Sequence, residues 1–287
     1  MANTVSGSIT TKDGVTLHYL EAGHGRPLVL LPGWSQTASQ FHKQLDDFSD
    51  SYRCLALDYR GHGESARPGY GYRVSRFAMD LREFMQACEL QDVILLGHSA
   101  GCAVIWSYLD LFGATGIRGL IFCDQMIARI RRPEWSEEEC RHYGAFVGGD
   151  EVLAQAELVG GLEGPAKSAE FLASMLTSEF SEAELLQMIQ ESLKFPRPAA
   201  AQLLLGVSYA DYRDLLPRIT VPTLCIGGAG SHLGPDVMPW IAGQIPGAEL
   251  VMIAAEAGGS HFMYLENPQA FNAAVRDFCA VIDAANE

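Results

Sequence analysis

Residues 92–101 read DVILLGHSAG, a short apolar run that passes directly into the pentapeptide GHSAG of residues 97–101. The apolar run predicts a buried strand, and residues 100–112 have the periodicity of a helix. A serine between a strand and a helix, flanked by small residues, is typical of a tight turn that holds the serine in a strained, exposed geometry. We therefore predict a nucleophile at Ser99; the alternative is an incidental serine in a glycine-bounded turn.

Apolar segments of strand length recur on both sides of this turn. Residues 6–20 alternate in polarity around Asp13-Gly14 and predict a β-hairpin. Further predicted strands, each a continuous apolar run, lie at 27–31, 52–58, 92–96, 119–123, 223–227 and 249–254. Continuous apolar strands that alternate with helices indicate a mostly parallel sheet covered on both faces. The prediction is an α/β fold with an eight-stranded sheet.

The alternation of strands and helices stops after Cys123. Only helical periodicity follows, at 136–146, 151–158, 168–176, 182–193 and 200–207. We predict a core made of residues 1–126 and 219–287, interrupted by a helical lid at 127–218. The lid would lie over the carboxyl ends of the strands, where open α/β sheets bind ligands.

A serine hydroxyl needs a base to remove its proton, and the chain has eight histidines. His261 stands in the glycine-rich stretch GGSHF of residues 258–262, after the last predicted strand and after Ser99 in chain order. We predict that His261 is this base, with a pKa near 6.5 that a neighbouring carboxylate would raise. The alternative is a loop histidine that caps the final helix. His98 is expected to point sideways from the turn, and His62 to support another turn.

The acid that orients the imidazole has two candidates. Asp124 follows the apolar run Ile121-Phe122-Cys123, and it needs a partner because an unpaired carboxylate at a buried strand end is unfavourable. Asp236 is the first carboxylate after the later strand that ends at Gly227. We favour Asp124 on site geometry, while a helix N-cap remains the alternative role for either aspartate.

Negative charge that develops on a carbonyl oxygen needs backbone donors. The amide of Ala100, next to Ser99, is one candidate. The second is the amide of Trp34, in the turn Pro32-Gly33-Trp34-Ser35-Gln36 that follows the first core strand. The indole ring of Trp34 has the alternative role of a core aromatic.

Composition narrows the function classes further. The 287 residues carry a net charge of −15, which disfavours nucleic acid and anionic membranes as partners. Seven scattered cysteines predict small buried side chains in a reducing compartment. The first residues lack the pattern of a signal peptide, and we expect a cytoplasmic protein without a membrane partner. A small-molecule substrate is expected, no metal or organic cofactor is implied, and the oligomeric state, including a homodimer, stays open.

The motifs together resemble the α/β-hydrolase superfamily over nearly the whole chain. They are LLPGW at 30–34, DYRGHGES at 58–65, the Ser99 turn, VPT at 221–223, and SHF at 260–262 followed by LENP at 265–268. Haloalkane dehalogenases and epoxide hydrolases of this superfamily use an aspartate nucleophile, so Ser99 argues against both.

Two smaller groups are similar in placing their acid after the earlier strand: zearalenone-type lactonases and cofactor-free 2,4-dioxygenases of hydroxyquinolones. The dioxygenases also share the Pro-Gly-Trp turn. This chain departs from them at Ala100, where they often have histidine, at Gln125, where they tend to have tryptophan, and at Gln36, where they can have histidine.

The leading hypothesis is a serine hydrolase that cleaves a carboxylic ester or lactone of a largely apolar small molecule through an acyl-enzyme. A cofactor-free dioxygenase of a heteroaromatic substrate is the alternative, and a ligand receptor without activity is a third. In the lid, Trp135, Tyr143 and Phe146 are predicted to bind substrate, and Met175, Leu176 and Met188 are further apolar candidates. Packing between helices is the alternative role, and it is favoured for any one of these residues. Arg129, Arg131 and Arg132 are interpreted as a solvated basic run, with an anion site as the alternative.

Overall fold

The computed structural model describes residues 3–177 and 180–284, and in this part of the chain eight strands form one sheet. The strands are β1 (Val5–Thr10), β2 (Thr16–Ala22), β3 (Arg26–Leu31), β4 (Tyr52–Leu57), β5 (Val93–His98), β6 (Ile117–Cys123), β7 (Thr223–Gly228) and β8 (Glu249–Ile253). Their order is β1-β2-β4-β3-β5-β6-β7-β8. β1 and β2 form the antiparallel hairpin, β2 pairs antiparallel with β4, and the remaining pairs are parallel. The predicted α/β-hydrolase fold with its mostly parallel eight-stranded sheet is confirmed.

Helices cover both faces of this sheet. They are α1 (His42–Phe48), α2 (Val74–Ala87), α3 (Ala100–Phe112), α4 (Glu137–Tyr143), α5 (Gly149–Gly160), α6 (Gly164–Ser174), α7 (Glu182–Ser192), α8 (Arg197–Ser208), α9 (Val237–Gln244), α10 (Met263–Glu266) and α11 (Pro268–Ala284). One apolar core joins the sheet to α2, α3 and α9, and a second core joins its other face to α1 and α11. Burial on both faces explains the continuous apolar runs inside β3 to β7.

Five of these helices, α4 to α8, lie between β6 and β7 in the chain. The two ends of this insertion meet where Ala128 and Asp211 form an antiparallel bridge. Trp34 Nε1 donates to the carbonyl oxygen of Ala200 at 2.8 Å, and Ser35 Oγ donates to that of Ser192 at 3.0 Å. The insertion is therefore held against the turn that follows β3. The division at residues 127 and 218 stays a prediction.

No helix within the described ranges combines the length and the apolar character needed to cross a membrane.

Candidate active site

Ser99 occupies the turn between β5 and α3, with φ 52° and ψ −123°. Residues with a side chain rarely adopt this conformation, so the surrounding structure must hold it in place. Gly97 and Gly101 provide the room: a Cβ at Gly97 would lie 2.7 Å from backbone atoms of Gly101, and one at Gly101 would lie 2.3 Å from the Leu31 carbonyl oxygen. The turn thus exposes the Ser99 side chain to a cavity at the carboxyl ends of the strands.

His261 follows β8 and lies beside Asp124. Its Nδ1 atom is 2.6 Å from Asp124 Oδ2, and both side chains are buried. Asp124 directly follows β6 with φ 48°, and it also accepts hydrogen bonds from Ser231 Oγ at 2.5 Å and from the Gly228 amide at 3.3 Å. These bonds fix the carboxylate, which in turn fixes the imidazole with its Nε2 atom free for another partner.

Asp236, the other candidate acid, lies elsewhere. It directly precedes α9, its side chain is 49% exposed, and its nearest cation is Arg141, with an oxygen-to-nitrogen distance of 3.7 Å. Its side chain does not cap the helix by a hydrogen bond. The structure therefore brings Asp124, and not Asp236, to His261.

Ser99 and His261 both line the same cavity. Within the described residues, neither the Ser99 hydroxyl nor His261 Nε2 donates or accepts a hydrogen bond with another side chain. Bonds between a nucleophile and its base are often long before substrate binds and tighten in the reacting complex.

The two predicted oxyanion donors lie at this cavity as well. Trp34 and Ala100 line it, and neither backbone amide has a protein acceptor in the described part of the chain. The Ala100 amide stands at the start of α3, where the helix dipole favours negative charge. The Trp34 indole is partly buried against the core that contains α2 and α3, donates to the Ala200 carbonyl oxygen of the insertion and contacts Phe171.

Three imidazole rings lie together next to Asp124. The ring centroid of His261 is 4.7 Å from that of His98 and 4.6 Å from that of His232. Burial lowers the pKa of each of these histidines to about 3. Burial raises the pKa of Asp124 to about 6, against the effect of its hydrogen bonds from Ser231 and Gly228. Desolvation of the buried cationic ring thus lowers the pKa of His261, which opposes the rise expected from its carboxylate neighbour.

The cavity has a volume of about 240 Å³ and mostly apolar walls. From the core, its lining includes Gly33, Trp34, Gln36, His98, Ser99, Ala100, Gln125, Met126, His232, His261 and Phe262. From the insertion, it includes Arg129, Gly144, Phe146, Val147, Phe171, Met175, Leu204 and Val207. The size and chemistry suit a small, largely apolar molecule.

Of the three aromatic residues predicted to bind substrate, Phe146 lines the cavity, whereas Trp135 and Tyr143 do not. Trp135 packs edge-on against Tyr143, and the guanidinium of Arg213 lies over both rings. The predicted helix 136–146 ends instead at Tyr143, because Gly144 adopts the left-handed conformation that terminates helices. That early end turns Phe146 towards the cavity and leaves the other two rings in a separate cluster.

The sequence reasoning did not identify several polar residues of the cavity. His232 lines the cavity from the loop after β7, at the carboxyl edge of the sheet. Its place after a predicted strand could have indicated a site residue. Gln36 lies in the turn after β3, and its Nε2 atom is buried without a partner in the described residues, as is Nδ1 of His98. In the part of the chain that the structure describes, no group of three or more histidine, cysteine, aspartate or glutamate side chains is placed to hold a metal ion.

Comparisons with known proteins agree with this fold. A family model described as alpha/beta hydrolase fold matches residues 26–268. A non-heme chloroperoxidase from Kitasatospora aureofaciens is 28% identical, over 87% of this chain and 91% of that protein.

Among solved structures, an esterase from Exiguobacterium antarcticum is 26% identical with a TM-score of 0.86, covering 96% of this chain and 99% of its own. An enol-lactonase from Burkholderia xenovorans has a TM-score of 0.80 at 22% identity, covering 96% of this chain and 100% of its own. At that identity the likeness shows the fold alone.

Proposed function

This chain belongs to the α/β-hydrolase family, and we propose that it is a serine hydrolase that cleaves a carboxylic ester or lactone of a small molecule through an acyl-enzyme. The observation that carries the proposal is the convergence of Ser99, on a strained turn, and the hydrogen-bonded pair His261–Asp124 at one mostly apolar cavity. The esterase relatives support the same class of reaction.

We propose the following first step. Ser99 Oγ attacks the carbonyl carbon of the substrate while His261 Nε2 takes the hydroxyl proton. Asp124 keeps the Nδ1 proton on His261 directed towards itself and stabilises the imidazolium that forms. The carbonyl π electrons move to oxygen, and the Trp34 and Ala100 amides donate to this oxyanion.

The second half of the reaction releases the products. The tetrahedral intermediate collapses, the bond to the alcohol oxygen breaks, and His261 returns its proton to that oxygen. Water then attacks the acyl carbon with His261 as base, and the acid leaves Ser99. For a lactone, alcohol and acid are parts of one product. The water needed for this step is the only co-reactant.

The proposal is tested with a panel of 4-nitrophenyl esters and aliphatic lactones assayed on the wild-type protein and on Ser99→Ala. Turnover should fall about 10³-fold or more in Ser99→Ala, because nucleophile and base act as one unit. Ser51→Ala, at an exposed position before β4, is the matched control and should keep wild-type rates. Turnover in Ser99→Ala within tenfold of wild type would exclude Ser99 as the nucleophile.

The same variants separate the hydrolase from the dioxygenase alternative. A dioxygenase that uses His261 and Asp124 to deprotonate its substrate would not need Ser99. Oxygen uptake with a hydroxyquinolone that persists in Ser99→Ala would therefore support that alternative and contradict the proposal.

A further inference from the structure

Arg129 differs from the other arginines at the start of the insertion. Arg131 forms an ion pair with Glu137, and Arg132 forms one with Asp211 at 2.9 Å. Arg129 forms no ion pair with any residue in the ranges 3–177 and 180–284. Its guanidinium donates only to neutral oxygens, from Nη1 to Ser208 Oγ at 2.9 Å and from Nη2 to Gln155 Oε1 at 2.6 Å. The expected solvated basic run is therefore wrong for this member.

An arginine in this position is unusual on physical grounds. Its side chain is partly buried, and burial lowers its pKa. A guanidinium withdrawn from water is normally paired with a carboxylate, because neutral acceptors do not compensate the lost hydration of the charge. Arg129 has five N–H donors, of which the two named bonds use two.

Arg129 also lies where a ligand could reach it. It lines the cavity that holds Ser99 and His261, and no aspartate or glutamate among the described residues lines that cavity. With the histidines neutral, the guanidinium is the single charged group among the described side chains that line it. The residue that carries this positive charge thus lines the place where the substrate of the proposed reaction would bind.

A second cavity of about 160 Å³ adjoins the first. The two share Trp34, Arg129, Phe171 and Leu204 as lining residues. The second is further lined by Gln155, Leu158, Val159, Lys167 and Ser168, so it too presents no carboxylate from the described residues. Arg129 therefore stands at the junction of two largely apolar spaces, with Ser99 in one of them.

We propose that Arg129 binds a carboxylate of the substrate, so that the preferred ester or lactone carries a free carboxylate separated from its scissile bond by an apolar chain. This inference rests on the hydrolase function proposed above and names its substrate class. One guanidinium neutralises one negative charge and matches the planar geometry of a carboxylate, whereas a phosphate monoester would bring nearly two charges to the site.

Turnover tests the inference through matched substrate pairs. The first pair is mono-4-nitrophenyl adipate and its methyl-capped diester, read by nitrophenolate release. The second is 6-acetoxyhexanoate and its methyl ester, read by acetate release, with the charge on the alcohol part. In at least one pair the wild-type kcat/KM should favour the charged member about 10- to 100-fold, the range expected for a hydrogen-bonded charge pair. Arg129→Gln should bring that ratio towards 1 by raising KM for the charged member.

Arg132→Gln is the matched control, since it removes a neighbouring arginine that is already paired with Asp211. It should leave the ratio as in wild type. A wild-type preference for the neutral member in both pairs would overturn the inference while leaving the hydrolase function intact. A kcat/KM ratio of charged to neutral substrate that is the same in Arg129→Gln and wild type would also overturn the inference.

Binding separates the failure of this inference from the failure of the proposed function. Adipate binding to Ser99→Ala, measured by calorimetry, does not depend on turnover. It should weaken about 10- to 100-fold when Arg129→Gln is added. Adipate that binds equally with and without Arg129 contradicts the inference even if no ester is hydrolysed. Arg129-dependent binding without any ester turnover would instead support the carboxylate site and contradict the hydrolase.

Discussion

His261 Nδ1 lies 2.6 Å from Oδ2 of Asp124, a residue that directly follows β6 rather than β7. β6 pairs with β5, the strand that leads into Ser99, so the acid and the nucleophile follow neighbouring strands. β7 and the loop after it still contribute, because Ser231 Oγ and the Gly228 amide donate to the same carboxylate. This segment thus supports the acid that follows the neighbouring strand, while its own aspartate, Asp236, is not bonded to His261.

Replacing Asp124 tests its role as the orienting acid. Asp124→Asn should lower kcat about 10²- to 10⁴-fold, because an amide at this place can favour the wrong imidazole tautomer of His261. The measurement is ester turnover alongside a melting curve, so that loss of fold is recognised separately. Asp236→Asn is the matched control and should change kcat little, since Asp236 is exposed and remote from His261. A large loss in Asp236→Asn with little loss in Asp124→Asn would reverse the assignment.

The pH dependence follows from the same pair. Burial raises the pKa of Asp124 to about 6, and burial lowers that of His261 to about 3. As pH falls through about 6, the pair takes up a proton, and Asp124 can no longer stabilise the imidazolium. We therefore expect kcat/KM to be full above this pH and to decline below it, measured on a neutral ester from pH 4 to 8.

Asp124→Asn should remove this acid limb from whatever activity remains, because the amide does not titrate in this range. A wild-type rate that does not change between pH 4 and 8 would contradict the role of the pair.

The strain at Ser99 predicts an effect on stability. Glycine adopts φ 52° and ψ −123° more easily than serine or alanine, so Ser99→Gly should relieve strain. Glycine also makes the unfolded chain more flexible, which offsets part of this gain. We therefore expect the free energy of unfolding of Ser99→Gly to be higher than that of Ser99→Ala by about 1 kcal/mol. Denaturant unfolding of the two inactive variants measures this difference. If Ser99→Ala equals or exceeds Ser99→Gly, the turn is not strained as described.

The fold could largely be predicted from the sequence, because each strand and helix has its own local pattern of apolar residues. Continuous apolar runs marked the buried strands, and their alternation with helices indicated the sheet. The helix after the Ser99 turn shows this well, since its predicted range of 100–112 is that of α3. The hairpin was equally clear, because its two strands flank a short turn at Asp13-Gly14.

The walls of the cavity were harder to predict because they depend on long-range packing. Arg129, Arg131 and Arg132 look alike in the sequence, and only the fold shows that Glu137 and Asp211 pair with two of them. The pKa of His261 depends on its burial beside His98 of β5 and His232 of the loop after β7, which no local sequence pattern records.

Phe146 illustrates a signal that was present but not used. Gly144 marked the end of α4, and a glycine near a predicted helix end is a common terminator. A helix that ends before Gly144 leaves Phe146 outside α4, apart from Tyr143.

The most direct test of the central claim is covalent labelling of the nucleophile. A fluorophosphonate probe transfers its phosphonyl group to an activated serine, and intact-mass spectrometry counts the adducts. We expect one adduct on the wild-type protein, none on Ser99→Ala, and strongly slowed labelling of His261→Ala, because the base activates the hydroxyl. No adduct on the wild-type protein, or equal labelling of Ser99→Ala, would contradict the assignment of Ser99 as the nucleophile.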